Sequence, residues 1–96
     1  LYESINSLNK VNVVGKDFSD TKRTPTVSFV HSDYTPQEIC KALASENICA
    51  WDGHFYALKA IQILGLEQKG GVTRLGVSLY NTKEEIERAV SVISKL

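Results

Sequence analysis

The stretch Val72-Thr73-Arg74-Leu75-Gly76-Val77-Ser78-Leu79-Tyr80-Asn81-Thr82, running straight into Lys83-Glu84-Glu85-Ile86-Glu87-Arg88-Ala89-Val90, decides how this chain is read. It predicts a strand, a sharp corner and a capped helix, with one arginine on the strand. Strand side chains alternate between faces. Leu75, Val77 and Leu79 are therefore expected on one face, and Arg74, Gly76, Ser78 and Tyr80 on the other. The apolar set requires a core. The arginine requires a polar partner, because a guanidinium buried alone is strongly destabilising. Arg74 is either a surface cation paired with a neighbouring carboxylate or a planar, bidentate fork for the carboxylate of a ligand. Gly76, two residues along on the same face, leaves room for a ligand or another domain.

Working outward, Thr82 and Glu85 form a capping box, and Ile86, Ala89, Val90 and Ile93 predict the buried stripe of the last helix. The same signature recurs at Thr35-Pro36-Gln37-Glu38, where proline suits the first helical position, and Ile39, Ala42 and Leu43 follow on one face. That helix is expected to stop near Asn47, with Ile48-Cys49-Ala50-Trp51 as a short strand and Asp52-Gly53 as a turn. Ala57, Leu58, Ile61 and Leu64 predict a further helix ending at Gly65, a left-handed cap. Glu67 to Gly71 reads as a loop, and Val72 to Tyr80 as the longest strand. Upstream, Val11-Asn12-Val13-Val14 is a β-branched strand stopped by Gly15. Lys16 to Thr24 is a polar loop with Phe18 its only large apolar residue, and Thr26 to His31 is a second strand. Residues 1–9, with Tyr2, Ile5 and Leu8 at three-residue spacing, read as a linker or the end of a preceding helix. Residues 10–96 then form an α+β two-layer domain: a small, mostly antiparallel sheet of about four strands with helices on one face.

A chain of 96 residues supports one modest core. Lys plus Arg and Asp plus Glu number 11 each, so no basic surplus points to a nucleic-acid partner. No apolar run approaches a membrane span. Cys40 and Cys49, eight residues apart with no CxxC pair or histidine cluster, predict no metal site. Both read as small buried side chains, on a helix and a strand respectively, which suits a reducing cytoplasm. The chain opens with Leu1 and contains no methionine, so it is expected to be a piece of a longer protein.

The arginine strand leading to Tyr80-Asn81-Thr82 resembles the class V family of pyridoxal-phosphate enzymes, the aminotransferases and cysteine desulfurases. Arg23 through Phe29, Thr35-Pro36-Gln37-Glu38 and Ile48 through Gly53 resemble further segments of that family in the same order. The resemblance covers nearly the whole chain after Lys10. It implies the C-terminal small domain of a fold-type I pyridoxal-phosphate transferase or lyase, with Arg74 gripping the carboxylate of an amino-acid substrate. One departure stands out. Related desulfurases carry Gly-His-His-Cys-Ala where this chain has Gly53-His54-Phe55-Tyr56-Ala57, and a phenol, of ordinary pKa about 10, cannot serve as persulfide carrier. The resemblance therefore points to a desulfurase-like branch lacking the reactive cysteine.

His54, Tyr56 and Trp51 are candidates for lining the pocket. His54 reads either as a proton shuttle or as an exposed helix-start residue, and the two aromatics equally as plain packing. The family's Schiff-base lysine, pyridine-facing carboxylate and phosphate cradle have no counterpart motif here and would belong to a large domain upstream. The implied parent enzyme is a cytoplasmic homodimer that binds pyridoxal phosphate. The isolated chain is expected to hold no cofactor and no catalytic residue. The rival reading is a stand-alone, non-catalytic α+β module binding a small metabolite or a protein partner.

Overall fold

The structure, a computed structural model, describes residues 1–17, 19 and 23–96. Eight elements follow in order: α1 (Tyr2–Asn6), β1 (Val11–Val14), β2 (Thr26–His31), α2 (Pro36–Ser45), β3 (Trp51–Gly53), α3 (Leu58–Ile63), β4 (Val72–Gly76) and α4 (Lys83–Ser94). The strands make one open antiparallel sheet in the order β1-β2-β4-β3. The expected α+β architecture with a four-stranded antiparallel sheet is the one observed, but the helices were expected on one face and α3 packs on the other, because Ile61 finds its apolar partners in Val30 and Val72 there. The predicted loop at Lys16–Thr24 lies partly outside the described residues, Phe18 included.

Register divides the sheet into two unlike faces. Phe29 pairs with Thr73 and Val27 with Leu75, so these four side chains share one face. Against them pack Ile39 and Leu43 of α2, Ala89 and Ile93 of α4, and Ile5 of α1, all buried in one apolar cluster. Helix stripes and strand alternation thus converge on a single core, as amphipathic elements must. Both capping boxes form as expected. The Thr35 hydroxyl accepts from Glu38 N–H and the Thr82 hydroxyl from Glu85 N–H, while each glutamate returns a bond to the capping residue. The opposite face carries Arg74 and, toward one end, a smaller cluster of Val30, Val72 and Ile61 that brings α3 against the sheet. Around Arg74 that face stays uncovered.

Several local expectations need correction. The third strand is Trp51–Gly53, where a strand over residues 48–51 and a turn at Asp52-Gly53 were expected. The cause is the end of α2. Asn47 takes a left-handed φ of 58°, its N–H donates to Ala44 O, and Ile48 N–H reaches back to Leu43 O. This is a Schellman closure, which spends Ile48 on capping the helix and packs it against the core. Cys49 is therefore exposed and outside any strand, while Cys40 is half-buried on α2.

The last strand is also shorter than expected. It ends at Gly76, leaving β2 the longest strand. Beyond it Ser78 N–H donates to Asn81 Oδ1 at 2.7 Å and Asn81 N–H to Ser78 O at 3.1 Å, closing a turn. Leu79 sits at the tip of that turn, fully exposed, and not in the core. Asn81 holds the corner, and its amide also donates to Glu85 Oε2 at 3.0 Å.

Candidate functional site

Arg74 lies in the middle of β4, opposite Ser28 of β2 on one side and Trp51 of β3 on the other. It is half-buried. Among the described residues no carboxylate approaches its guanidinium within ion-pair distance; the ion pairs shown are Lys10–Asp33 and Lys83–Glu87. Its partner is aromatic: the Phe55 ring stacks over the guanidinium, with Cζ 4.0 Å from the ring centroid. That is cation–π geometry.

The loop between β3 and α3 builds the rest of the site. Gly53 has φ 120°, and Phe55 and Tyr56 follow at 52° and 59°, two consecutive non-glycine residues in the left-handed region. His54 pins this turn. Its Nδ1 accepts from Tyr56 N–H at 3.0 Å, and its carbonyl accepts from Ala57 N–H at 2.8 Å. With Nδ1 engaged as an acceptor, the neutral imidazole carries its proton on Nε2. Trp51 meets the Phe55 ring edge-on at 6.4 Å. Gly71, at φ 94°, lies directly against Gly53, where any Cβ would collide with the Gly53 carbonyl.

Trp51, His54, Tyr56 and Arg74, four residues singled out from the sequence, line one concavity of about 580 Å³ together with Asp52, Gly53 and Phe55. Trp51 is 68 % and Tyr56 98 % exposed, so both rings are open to whatever covers this face. Phe55, the residue in contact with the guanidinium, is not among the site residues to which the sequence points. Its signal was weak: one apolar side chain inside the Gly53–Ala57 run, with nothing local to aim it at Arg74.

The two thiols differ. Burial pushes the Cys40 thiol up to about 11, with the nearby Asp52 carboxylate adding to the shift, so it stays protonated at neutral pH. Cys49 is exposed and lines a different concavity, of about 390 Å³, beside Ser78 and Glu85. Neither cysteine lines the Arg74 concavity. Among the described residues no cluster of three or more His, Cys, Asp or Glu could hold a metal ion. Among them, too, no helix is long and apolar enough to cross a membrane.

Residues 1–89 match the model of the family described as aminotransferase class-V. The chain belongs to that family. Its relatives include a probable cysteine desulfurase 1 of Mycobacterium leprae, 34 % identical over 76 residues, which are 79 % of this chain and 12 % of that protein. A probable cysteine desulfurase of Methanothermobacter thermautotrophicus is 36 % identical over 62 residues, 64 % of this chain and 16 % of its own length. The aminotransferase-like protein FGM3 of Gibberella zeae is 32 % identical over 94 residues, 94 % of this chain and 23 % of its own length. Among solved structures, the apo cysteine desulfurase from Thermococcus onnurineus NA1 superposes with a TM-score of 0.84 at 27 % identity, over 97 % of this chain and 22 % of that one. This is a cysteine desulfurase-like class V domain that spans less than a quarter of the relatives it matches.

The family depends on pyridoxal phosphate. The residues lining the Arg74 concavity do not fit that cofactor as a whole: they include no lysine to bind it covalently and no run of backbone donors to cradle a phosphate. What their side chains supply is one cation, three aromatic rings and one imidazole, the Asp52 carboxylate lying on the Thr73 side of the sheet near Cys40.

Proposed function

We propose that this chain is the C-terminal, substrate-clamping domain of a pyridoxal-phosphate enzyme acting on an amino acid, and that Arg74 binds the substrate carboxylate. The observation that carries this reading is the state of Arg74. It is a half-buried guanidinium at the centre of a concave, uncovered sheet face, with no carboxylate of the described residues paired to it. Its planar donors match a carboxylate edge to edge. The cofactor, its covalent lysine and its phosphate site belong to a large domain elsewhere in the polypeptide, which closes over this face. Family membership favours a cytoplasmic homodimer for the whole protein.

In that assembly Arg74 does positioning work. Fixing the carboxylate end of an amino acid sets which of its bonds faces the cofactor, an orientation effect and not a bond-making one. Trp51 and Tyr56 exclude water from the same cavity. Tyr56 stands where related desulfurases place the thiol that accepts sulfur, so the substrate reaction is not sulfur transfer through this loop.

The test uses the full-length protein. With pyridoxal phosphate bound, its visible absorption band is expected to shift on addition of the substrate amino acid. Arg74→Ala is expected to lower kcat/KM on the order of 100-fold, with Arg74→Lys recovering only part. Unchanged kinetics in Arg74→Ala would remove Arg74 from the site. Sulfide release from L-cysteine is expected to be absent, and its appearance with Cys40 and Cys49 both replaced by alanine would point to a thiol in the large domain.

A further inference from the structure

Resting on the reading of Arg74 as a carboxylate fork, we infer that Phe55 is the residue that positions the fork, holding the guanidinium by its face so that its N–H edges remain free for the ligand. An arginine at a half-buried strand position must be held by something, since its side chain otherwise samples many rotamers. Two devices are available. A protein carboxylate would hold it strongly, but would occupy the very N–H donors that a ligand carboxylate needs and would have to be displaced. An aromatic ring takes the π face of the guanidinium and leaves every in-plane donor unused. This site has the second device: the Phe55 ring at 4.0 Å, and no ion pair to Arg74 among the described residues.

The ring is placed there deliberately and at a cost. Trp51 pairs with Arg74 across β3 and β4, so the loop leaving β3 returns directly over the arginine. To bring Phe55 down, the chain turns left-handed at Gly53, Phe55 and Tyr56, conformations that non-glycine residues avoid. Such strain persists only where surrounding contacts over-determine it, and it concentrates where function requires a set geometry. Those contacts are visible. The Phe55 ring packs against the Val30, Ile61 and Val72 cluster and receives Trp51 edge-on at 6.4 Å, while His54 closes the turn with its side chain and its carbonyl. The guanidinium is thereby fixed from one side only.

The experiment titrates the protein with N-acetylglycine, a carboxylate probe with no amine to react, and follows the Arg74 Nε–Hε resonance in 15N–1H spectra. In the parent that resonance is expected to carry an upfield ring-current shift and to move on saturation. Phe55→Leu is expected to lose the ring-current shift and to raise the dissociation constant about tenfold. Phe55→Tyr is expected to restore both to within about twofold, which a merely structural role for the side chain would not require. The resonances of Val27, Ile39 and Ile93 should stay unmoved in both variants, reporting an intact core. Equal binding by parent and Phe55→Leu would overturn the positioning role while leaving the Arg74 fork standing. Failure of Phe55→Tyr to rescue would likewise overturn it. An Arg74 resonance that ignores the probe in the parent and in every variant would instead sink the fork itself, and this inference with it.

Discussion

The two faces of the sheet are built on opposite principles. One face is closed by α1, α2 and α4 over Val27, Phe29 and Leu75, with Ile39, Leu43 and Ile93 essentially inaccessible to water. The other presents Arg74 between Ser28 and Trp51, with two large aromatics left in solvent and α3 covering only one end. On the closed face each side chain stabilises the fold by leaving water. On the open face the same backbone carries side chains whose disposition stabilises little, including a cation with no acid paired to it among the described residues and a strained turn. A region that contributes to stability and a region that gives up some of it thus sit back to back, one residue apart along β4.

The sharpest way to break this contrast is to cut into each face in turn. Phe29→Ala removes the largest fully buried side chain and is expected to cost about 3–5 kcal/mol through lost transfer energy and the cavity left behind. Arg74→Ala, on the other face, is expected to cost about 1 kcal/mol or less, since it loses one cation–π contact and no ion pair. Urea unfolding of the two variants measures both. Comparable losses would mean that Arg74 is structural and that the division between faces is false.

Gly71 tests the seam between the faces. Any side chain there meets the Gly53 carbonyl and must also adopt φ 94°, so Gly71→Ala is expected to cost about 2–4 kcal/mol and to push β3 away from β4. Because β3 carries Trp51, its indole fluorescence should change in the folded state of this variant. In Phe29→Ala the same fluorescence should stay close to the parent's. An unperturbed Trp51 in Gly71→Ala would show that the glycine contact does not set the position of the Arg74 concavity.

What was legible in the sequence follows the range of the interactions involved. Both capping boxes, β1, β2 and the stripes of α2 and α4 are decided within a few residues of chain, and Thr35, Glu38, Thr82 and Glu85 announce them directly. β3 was misplaced because Ile48-Cys49-Ala50-Trp51 has strand composition, while the Schellman closure that claims Ile48 depends on how α2 ends. Asp52-Gly53 reads as a turn, and becomes strand only because Gly71 lets a partner backbone come close. Leu79 continues the alternation on paper, but the Asn81 side chain closes the corner first. The site shows the same division. Arg74, Trp51, His54 and Tyr56 could be named from a resemblance carried by local motifs. Phe55 could not, because its contact with Arg74 arises from the pairing of two strands about twenty residues apart in the chain.

The closed face has polar members too, and they offer finer tests. Thr73 is wholly buried on it, and its hydroxyl has no hydrogen-bond partner among the described residues. An unsatisfied buried hydroxyl is destabilising, and valine has nearly the same shape without it. Thr73→Val is therefore expected to stabilise by about 1 kcal/mol, raising the urea midpoint with an unchanged slope. A loss of stability would reveal a bonded partner, such as an enclosed water, beneath the sheet.

His31 gives the smallest effect and the only one that depends on pH near neutrality. It is 3 % exposed at the end of β2, its Nδ1 accepts from Asp33 N–H at 3.1 Å, and its ring meets Tyr34 edge-on at 5.2 Å. Burial holds its pKa below the ordinary imidazole value; the Asp33 charge opposes this, while Lys10 and Lys69 add to it. The folded state therefore prefers the neutral ring, which is also the only form able to accept the Asp33 N–H. A group whose folded-state pKa is depressed contributes stability that is complete above its unfolded value, about 6.5, and lost as the pH falls through the lower folded value. The carboxylates of Asp33, Glu38 and Glu85 are also held low, chiefly by Lys10, by Thr35 N–H and by the Asn81 amide respectively, but their contribution is lost only around pH 4 and below. Unfolding free energy measured from pH 7.5 to 5 should thus decline in the parent and stay nearly flat in His31→Asn, whose amide oxygen can still accept from Asp33 N–H. Both should fall together below pH 4. A decline of equal size in His31→Asn would place the titrating group elsewhere and leave the closed face electrostatically silent.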